Sequence, residues 1–236
     1  GLISILTAVF WGHGNILVAL YGARTMLIYF PLIFIIGRVF DKEDVIKMGR
    51  FILWISLPMT LLVVLQFYSP QTAWVNRGVG GDEAGAGFGG AMGFFRPPGT
   101  FSFTNGTTCF YSMVAPFVIY FWLSQKNISR TILLAATAGL IISIPISISR
   151  ALFLQVGLSV FFLAVAVSRK PKYLGRIMLA SAVLVVALAL FSNVRFFKTA
   201  TDAFTNRFDD ANKTEGGLVK GTIGNRFFGS LVTGVT

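Results

Sequence analysis

Long apolar runs separated by short charged stretches form the most regular pattern along this chain. Several runs carry no charge and approach the ~20 residues that an α-helix needs to cross the hydrocarbon of a bilayer. Read over the whole chain, the pattern predicts seven membrane spans. They cover Gly1–Trp11, Thr25–Val39, Phe51–Ser69, Gly106–Leu123, Thr131–Ser149, Ala151–Ser168 and Ile177–Phe191. The pattern therefore predicts an all-α, polytopic integral membrane helix bundle.

The composition supports a membrane protein and limits the classes of molecule that it is expected to bind. Apolar residues make up 55% of the chain and charged residues 12%, against about 45–50% and about a quarter in soluble domains. The single Cys109 excludes an internal disulfide framework. The net charge of +11 could suggest nucleic acid, but most positive residues lie in loops whose charge sets membrane topology. We therefore expect membrane lipids and no nucleic acid among the partners.

Lys and Arg divide unevenly between the two sets of alternating loops. One set carries ten, in the stretches Arg38–Arg50, Lys126–Arg130 and Arg169–Arg176. The other set carries four, which are Arg24, Arg77, Arg96 and Arg150. Because the richer set marks the cytoplasmic side, three features are predicted to face outward. These are the Gly-rich loop 69–104, the tight turn at Arg150 and the polar segment 192–236.

The chain is interpreted as a single transmembrane domain, 1–236, that forms part of a longer protein. It starts without Met, and the outer, periplasmic segment 192–236 is expected to be truncated.

Arginines are the strongest candidates for binding chemistry. Arg96 stands in the stretch "GFFRPPGTFSFTNG", where two prolines stiffen the exit from the Gly-rich loop. Arg150 interrupts two apolar runs, and Arg207 and Arg226 lie in the polar outer segment, as does Arg195. Each could be an interfacial anchor whose guanidinium snorkels toward headgroups. Together they favour capture of a polyanion such as a lipid pyrophosphate, which the planar fork of arginine suits.

Other catalytic signals are weak. His13 is the single histidine and is interpreted as a hydrogen-bonded structural residue, so no catalytic residue is assigned. The adjacent carboxylates Asp209 and Asp210 are interpreted as solvated, and no metal site or cofactor is predicted. Phosphate-binding-loop, zinc-protease and serine-elbow motifs do not occur in the sequence.

Three stretches resemble the O-antigen ligase and O-antigen polymerase superfamily of bacterial polysaccharide enzymes. They are "FFRPPGTFSFTNGTTCFYSMVAPFVIYFWL", "ISISRALFLQVGLSVFFLAVAV" and "GNRFFGSL". The resemblance implies a GT-C-like bundle that transfers glycan with inversion and without metal. The donor would be a polyprenyl-pyrophosphate-linked oligosaccharide at the outer face of the inner membrane. By motif, pyrophosphate binding carries over to Arg96 and Arg150, and to Arg226.

The resemblance leaves several alternatives open. Ligases of this type use a histidine late in a large outer loop, and His13 does not occupy that position, so polymerase and ligase are not separated. A transporter or flippase of lipid-linked sugars would place charges at mid-helix and show internal repeats, whereas here the charges cluster at helix ends. A non-catalytic subunit that acts with membrane assembly partners is the third interpretation.

Overall fold

The computed structural model describes a mostly helical chain. It covers residues 5–6, 9–10, 14–17, 20–21, 23–24, 31–77, 87–124, 128–167, 175, 182, 186 and 195–215. The chain divides into two compact units, Gly1–Met48 and Gly49–Thr236. The first unit contains the helix α1 (Leu32–Val39), which is apolar and carries no buried residue. The arginines predicted to bind an anion all belong to the second unit.

The predicted helical class is confirmed, and four of the predicted spans coincide with helices. These are α2 (Lys42–Tyr68), α3 (Thr104–Ser124), α4 (Arg130–Ile146) and α5 (Arg150–Val167). Among the residues that the structure describes, α2 and α3 are long and apolar enough to cross a membrane, while α4 and α5 are shorter apolar helices. The predicted spans Gly1–Trp11 and Ile177–Phe191 lie largely outside the described residues.

Helix α2 extends beyond the span predicted from hydrophobicity. The apolar run begins at Phe51, but the helix begins at Lys42 and carries Glu43 and Asp44 in its first turn. Acidic side chains are favourable at that position because they face the positive end of the helix dipole. Lys47 also forms an ion pair with Asp44 at 3.4 Å. The charged stretch before Phe51 thus forms the first turns of the helix, and the hydrophobic pattern predicted only the apolar part.

Part of the predicted Gly-rich loop forms a β-hairpin. Strand β1 (Gly89–Ala91) pairs antiparallel with β2 (Phe94–Phe95), and the register shifts between Gly89 and Ala91. The two turn residues, Met92 and Gly93, both have positive φ, of 54° and 78°. Positive φ at both central positions matches the right-handed twist of a tight hairpin. The all-α prediction therefore missed one short β-hairpin. Residues 78–86 of the loop lie outside the described part.

The core of the second unit joins α2, α3 and α4 through a buried polar contact. The Thr60 and Tyr111 hydroxyls lie 2.9 Å apart, and Thr60 also donates to the Ser56 carbonyl at 2.7 Å. Gly139 of α4 lies against the same threonine, since a Cβ there would stand 2.6 Å from Thr60 Oγ1. Small residues allow such close helix approach, and the paired hydroxyls satisfy each other away from solvent.

The polar segment 192–236 contains a long amphipathic helix, α6 (Arg195–Glu215). Its inward side chains recur at helical spacing, with Ala200 and Ala203 fully buried and Phe204 partly buried. Phe204 meets Phe153 of α5 with ring centroids 6.2 Å apart. Helix α6 also packs against α4 and against strand β1, which brings it beside the hairpin.

Candidate anion site

The turn that carries Arg96 is anchored to α2 by one buried glutamine. Gln66 Oε1 accepts from the Gly99 amide at 2.8 Å, and Gln66 Nε2 donates to the Gly99 carbonyl at 3.1 Å. Gly99 has a φ of 64°, and a Cβ at that position would collide with the Met59 side chain. The positive φ therefore favours glycine at this position, and a larger residue would also have to displace the end of the Met59 side chain.

The two prolines of the "RPPG" turn are buried, and the carbonyl of Pro98 is also engaged. Thr107 of α3 donates its hydroxyl to that carbonyl, and the Phe101 amide donates to it at 3.2 Å. The turn is thus held from α2 on one side and from α3 on the other. This agrees with the prediction of a stiff turn at Arg96.

Arg96 itself follows β2 directly and is partly buried. Its amide donates to the Phe88 carbonyl at 2.9 Å, which extends the hairpin by one hydrogen bond. Its side-chain Nε is buried and has no hydrogen-bond partner among the described residues. A buried guanidinium N–H without an acceptor is costly, so this atom is suited to an acceptor supplied by a ligand.

Arg150 is placed by the turn between α4 and α5. It is the first residue of α5, and Ser149 Oγ accepts from the Leu152 amide at 3.3 Å, as an N-cap does. Ser149 Oγ also lies 3.2 Å from Thr108 Oγ1 of α3. The turn is therefore tied to α3, and Arg150 stands at the positive end of the α5 dipole.

The same turn contacts the hairpin through a strained residue. Ile148 has a φ of 46°, which a β-branched side chain rarely adopts, and only 2% of its surface is exposed. A Cβ at Gly90 would lie 2.9 Å from Ile148 Cδ1, so the absence of a side chain there permits this approach. Strained backbone of this kind costs about 1–3 kcal/mol and concentrates at functional sites.

Three of the predicted arginines are linked through the electrostatics of Arg96. Burial lowers the pKa of Arg96 most, and the positive charges of Arg207 and Arg150 lower it further. The three residues come from the β2 turn, from α6 and from the start of α5, far apart in the sequence. We call Arg96, Arg150 and Arg207 the arginine cluster. Arginine keeps its charge at physiological pH despite such a shift, so the cluster concentrates positive charge.

The other predicted site residues fall outside this description. Arg226 is not among the described residues, and for Arg195 the structure describes the backbone only; His13, which was interpreted as a structural residue, is not described either. Within the described ranges, no three His, Cys, Asp or Glu side chains come together as metal ligands would.

Sequence reasoning missed the residues that position the cluster. Gln66 was available as a signal, because it is a single amide in the apolar run "LLVVLQFY", and polar groups within such runs usually have a structural or functional partner. Ile148 and Gly90 carried no comparable signal. Their roles depend on a backbone angle and on a contact between distant segments.

The arrangement can hold a multivalent anion. Guanidinium groups bind phosphate oxygens bidentately, and groups fixed by a folded scaffold lose little entropy when they bind. Comparison with protein-family models, with curated proteins and with solved structures found no match to this chain.

Proposed function

We propose that this chain is part of a membrane glycosyltransferase that polymerises or ligates a polyprenyl-pyrophosphate-linked glycan. The observation that carries the proposal is the arginine cluster, in which the buried Nε of Arg96 has no hydrogen-bond partner among the described residues. The apolar helices α2 and α3 are consistent with a membrane setting. In this proposal the cluster faces outward from a bacterial inner membrane, within a GT-C-like bundle of about seven spans.

The chemistry expected of the cluster is stabilisation of the leaving group. An acceptor hydroxyl attacks the anomeric carbon of the donor, and the bond from that carbon to the phosphate oxygen breaks. The bonding electrons move onto the pyrophosphate, while the hydroxyl loses its proton to a base. Cations fixed where this charge develops lower the barrier, and they do so without a metal ion.

Single arginine variants test the proposal. Arg96→Ala and Arg150→Ala are expected to reduce formation of polymer or ligated glycan by about 100-fold or more, the loss typical of one stabilising donor. Arg77→Ala is the matched control, because Arg77 is exposed and lies in the same predicted outer loop. All three variants should reach the membrane in normal amounts. Normal product from both cluster variants would overturn the proposal.

A second measurement separates an enzyme from a transporter or a non-catalytic subunit. The full-length protein, purified and placed in liposomes, is given a lipid-linked oligosaccharide and an acceptor. The proposal expects a new glycosidic bond and release of polyprenyl pyrophosphate. Movement of the donor across the bilayer without a new bond would contradict it.

A further inference from the structure

An aromatic side chain lies directly opposite Arg96 at the open end of the hairpin. The Arg96 amide donates to the Phe88 carbonyl at 2.9 Å. This bond continues the register of β1 and β2 by one step, so the two residues face each other across the hairpin. Residues directly opposite in an antiparallel pair carry their side chains on one face, with Cβ atoms about 4.5–5.5 Å apart. The Phe88 ring is therefore the cross-strand neighbour of the Arg96 side chain.

A second ring, that of Phe103, lies against the first. The ring centroids of Phe88 and Phe103 are 5.7 Å apart, and the ring planes are tilted by 51°. Phe103 directly precedes α3, and its carbonyl accepts from the Gly106 amide at 3.0 Å. We call Phe88 and Phe103 the aromatic pair. The hairpin and α3 flank the "RPPG" turn in the sequence, so the segments that fix Arg96 also fix this pair.

Much of the aromatic pair is open to a ligand. Phe103 is 67% exposed, and Phe88 is partly buried. A different ring anchors the hairpin to the core, since Phe94 stacks on the buried Phe67 of α2 with centroids 5.0 Å apart. An aromatic ring contributes most when its surface is covered, and most of the Phe103 surface is left for a molecule from outside the chain.

The ligand of the proposed function carries a sugar next to its pyrophosphate. The anomeric carbon of that sugar is bonded directly to a phosphate oxygen, so a phosphate held by Arg96 brings the sugar ring to the neighbouring side chains. A pyranose ring presents C–H groups on its faces, and these groups carry a slight positive charge. The face of an aromatic ring carries negative charge, so the two faces attract each other and exclude water.

We propose that the aromatic pair stacks on the first sugar of the lipid-linked glycan, with Phe103 supplying the exposed ring. The inference rests on the proposed function and adds a sugar subsite to the anion site. The pair selects a pyranose with C–H groups on one face, whereas Arg96 binds the phosphate next to it. Phe88 contacts Phe103 and neighbours Arg96, so it sets the position of the exposed ring relative to the phosphate.

The test compares a sugar-bearing and a sugar-free probe on variants of the full-length protein. The probes are undecaprenyl pyrophosphate with one N-acetylglucosamine, whose equatorial substituents leave C–H groups on both ring faces, and undecaprenyl pyrophosphate alone. Phe103→Leu keeps an apolar side chain without an aromatic face, and it is expected to weaken binding of the sugar-bearing probe by about fivefold. Phe103→Tyr keeps the face and should bind this probe like the wild type. Both variants should bind the sugar-free probe normally, which shows that the arginine cluster is intact.

Trp74→Leu is the matched control. Trp74 is 80% exposed and lies in the same predicted outer loop, so its replacement removes an exposed aromatic ring away from the pair. This variant should bind both probes like the wild type. Normal binding of the sugar-bearing probe by Phe103→Leu would overturn the inference, and so would an equal loss in Trp74→Leu.

Arg150→Ala distinguishes a failure of this inference from a failure of the proposed function. The variant should weaken binding of both probes, and if it weakens neither, the proposed function fails. If Arg150→Ala weakens both while Phe103→Leu binds the sugar-bearing probe normally, only the sugar subsite fails.

A spin label distinguishes a sugar subsite from an aromatic anchor at the membrane surface, where such side chains also gather. A nitroxide is attached to Phe103→Cys in a Cys109→Ser background, since Cys109 is the one cysteine of the chain. A water-soluble relaxation reagent should reach the label, and a saturating amount of the sugar-bearing probe should reduce that access more than the sugar-free probe does. Relaxation mainly by lipid-soluble oxygen, unchanged by the sugar-bearing probe, would assign the ring to the membrane and overturn the inference.

Discussion

Replacing Gln66 by leucine should release the turn that carries Arg96. The Gln66 side chain is 4% exposed and makes three hydrogen bonds, two to Gly99 and one to the Val75 carbonyl at 3.3 Å. At about 1 kcal/mol for each bond, Gln66→Leu removes about 3 kcal/mol, of which the buried leucine recovers about 1 kcal/mol. We therefore expect a net loss of about 2 kcal/mol in the free energy of unfolding.

The measurement is denaturant unfolding in detergent, with Gln71→Leu as the control. Gln71 is also partly buried, but its Oε1 has no hydrogen-bond partner among the described residues. Removing an unpaired polar group costs little, so the control should be close to neutral. Gln66→Leu should also weaken binding of inorganic pyrophosphate, because Arg96 lies three residues before Gly99. Equal stability of the two variants would refute the role given to Gln66.

Two further predictions concern the core and the cluster. Thr60→Val should destabilise the protein more than Tyr111→Phe, by about 1–3 kcal/mol against about 1 kcal/mol, because only the first leaves a buried hydroxyl unpaired. Denaturant unfolding of both variants measures this, and the reverse order would contradict it. Arg207→Gln should leave the melting temperature of the ligand-free protein equal or higher, since it removes a charge that repels Arg96, yet it should weaken pyrophosphate binding. A lower melting temperature without ligand would count against the repulsion.

Local pattern was sufficient to locate most helices. The apolar run Gly106–Leu123 became α3 (Thr104–Ser124) almost unchanged, because a helix with that composition satisfies its own backbone wherever it packs. Helix α6 was not predicted, although Phe197, Ala200, Phe204 and Phe208 recur at helical spacing. The many charged residues of this helix led to its interpretation as a polar segment. The apolar stripe is identified only from the spacing of three or four positions between its residues.

The β-hairpin could not be predicted because the loop that forms it is rich in glycine. Glycines in the loop 69–104 are compatible with many backbone conformations, so no local signal selects strand pairing there. Pairing of β1 with β2 depends on the positive φ values at Met92 and Gly93, and the hairpin is further contacted by α6 and by Ile148.

The helical class and the types of side chain that could bind an anion were already evident from the amino-acid pattern. It also predicted that Arg96, Arg150 and Arg207 share one side of a membrane, from the alternation of the loops. The fold, and not the local sequence, places Arg150 and Arg207 near enough to Arg96 to lower its pKa. Their proximity comes from long-range packing of the turn, α5 and α6. Residues separated by more than fifty positions leave no periodic signal of such packing in one sequence.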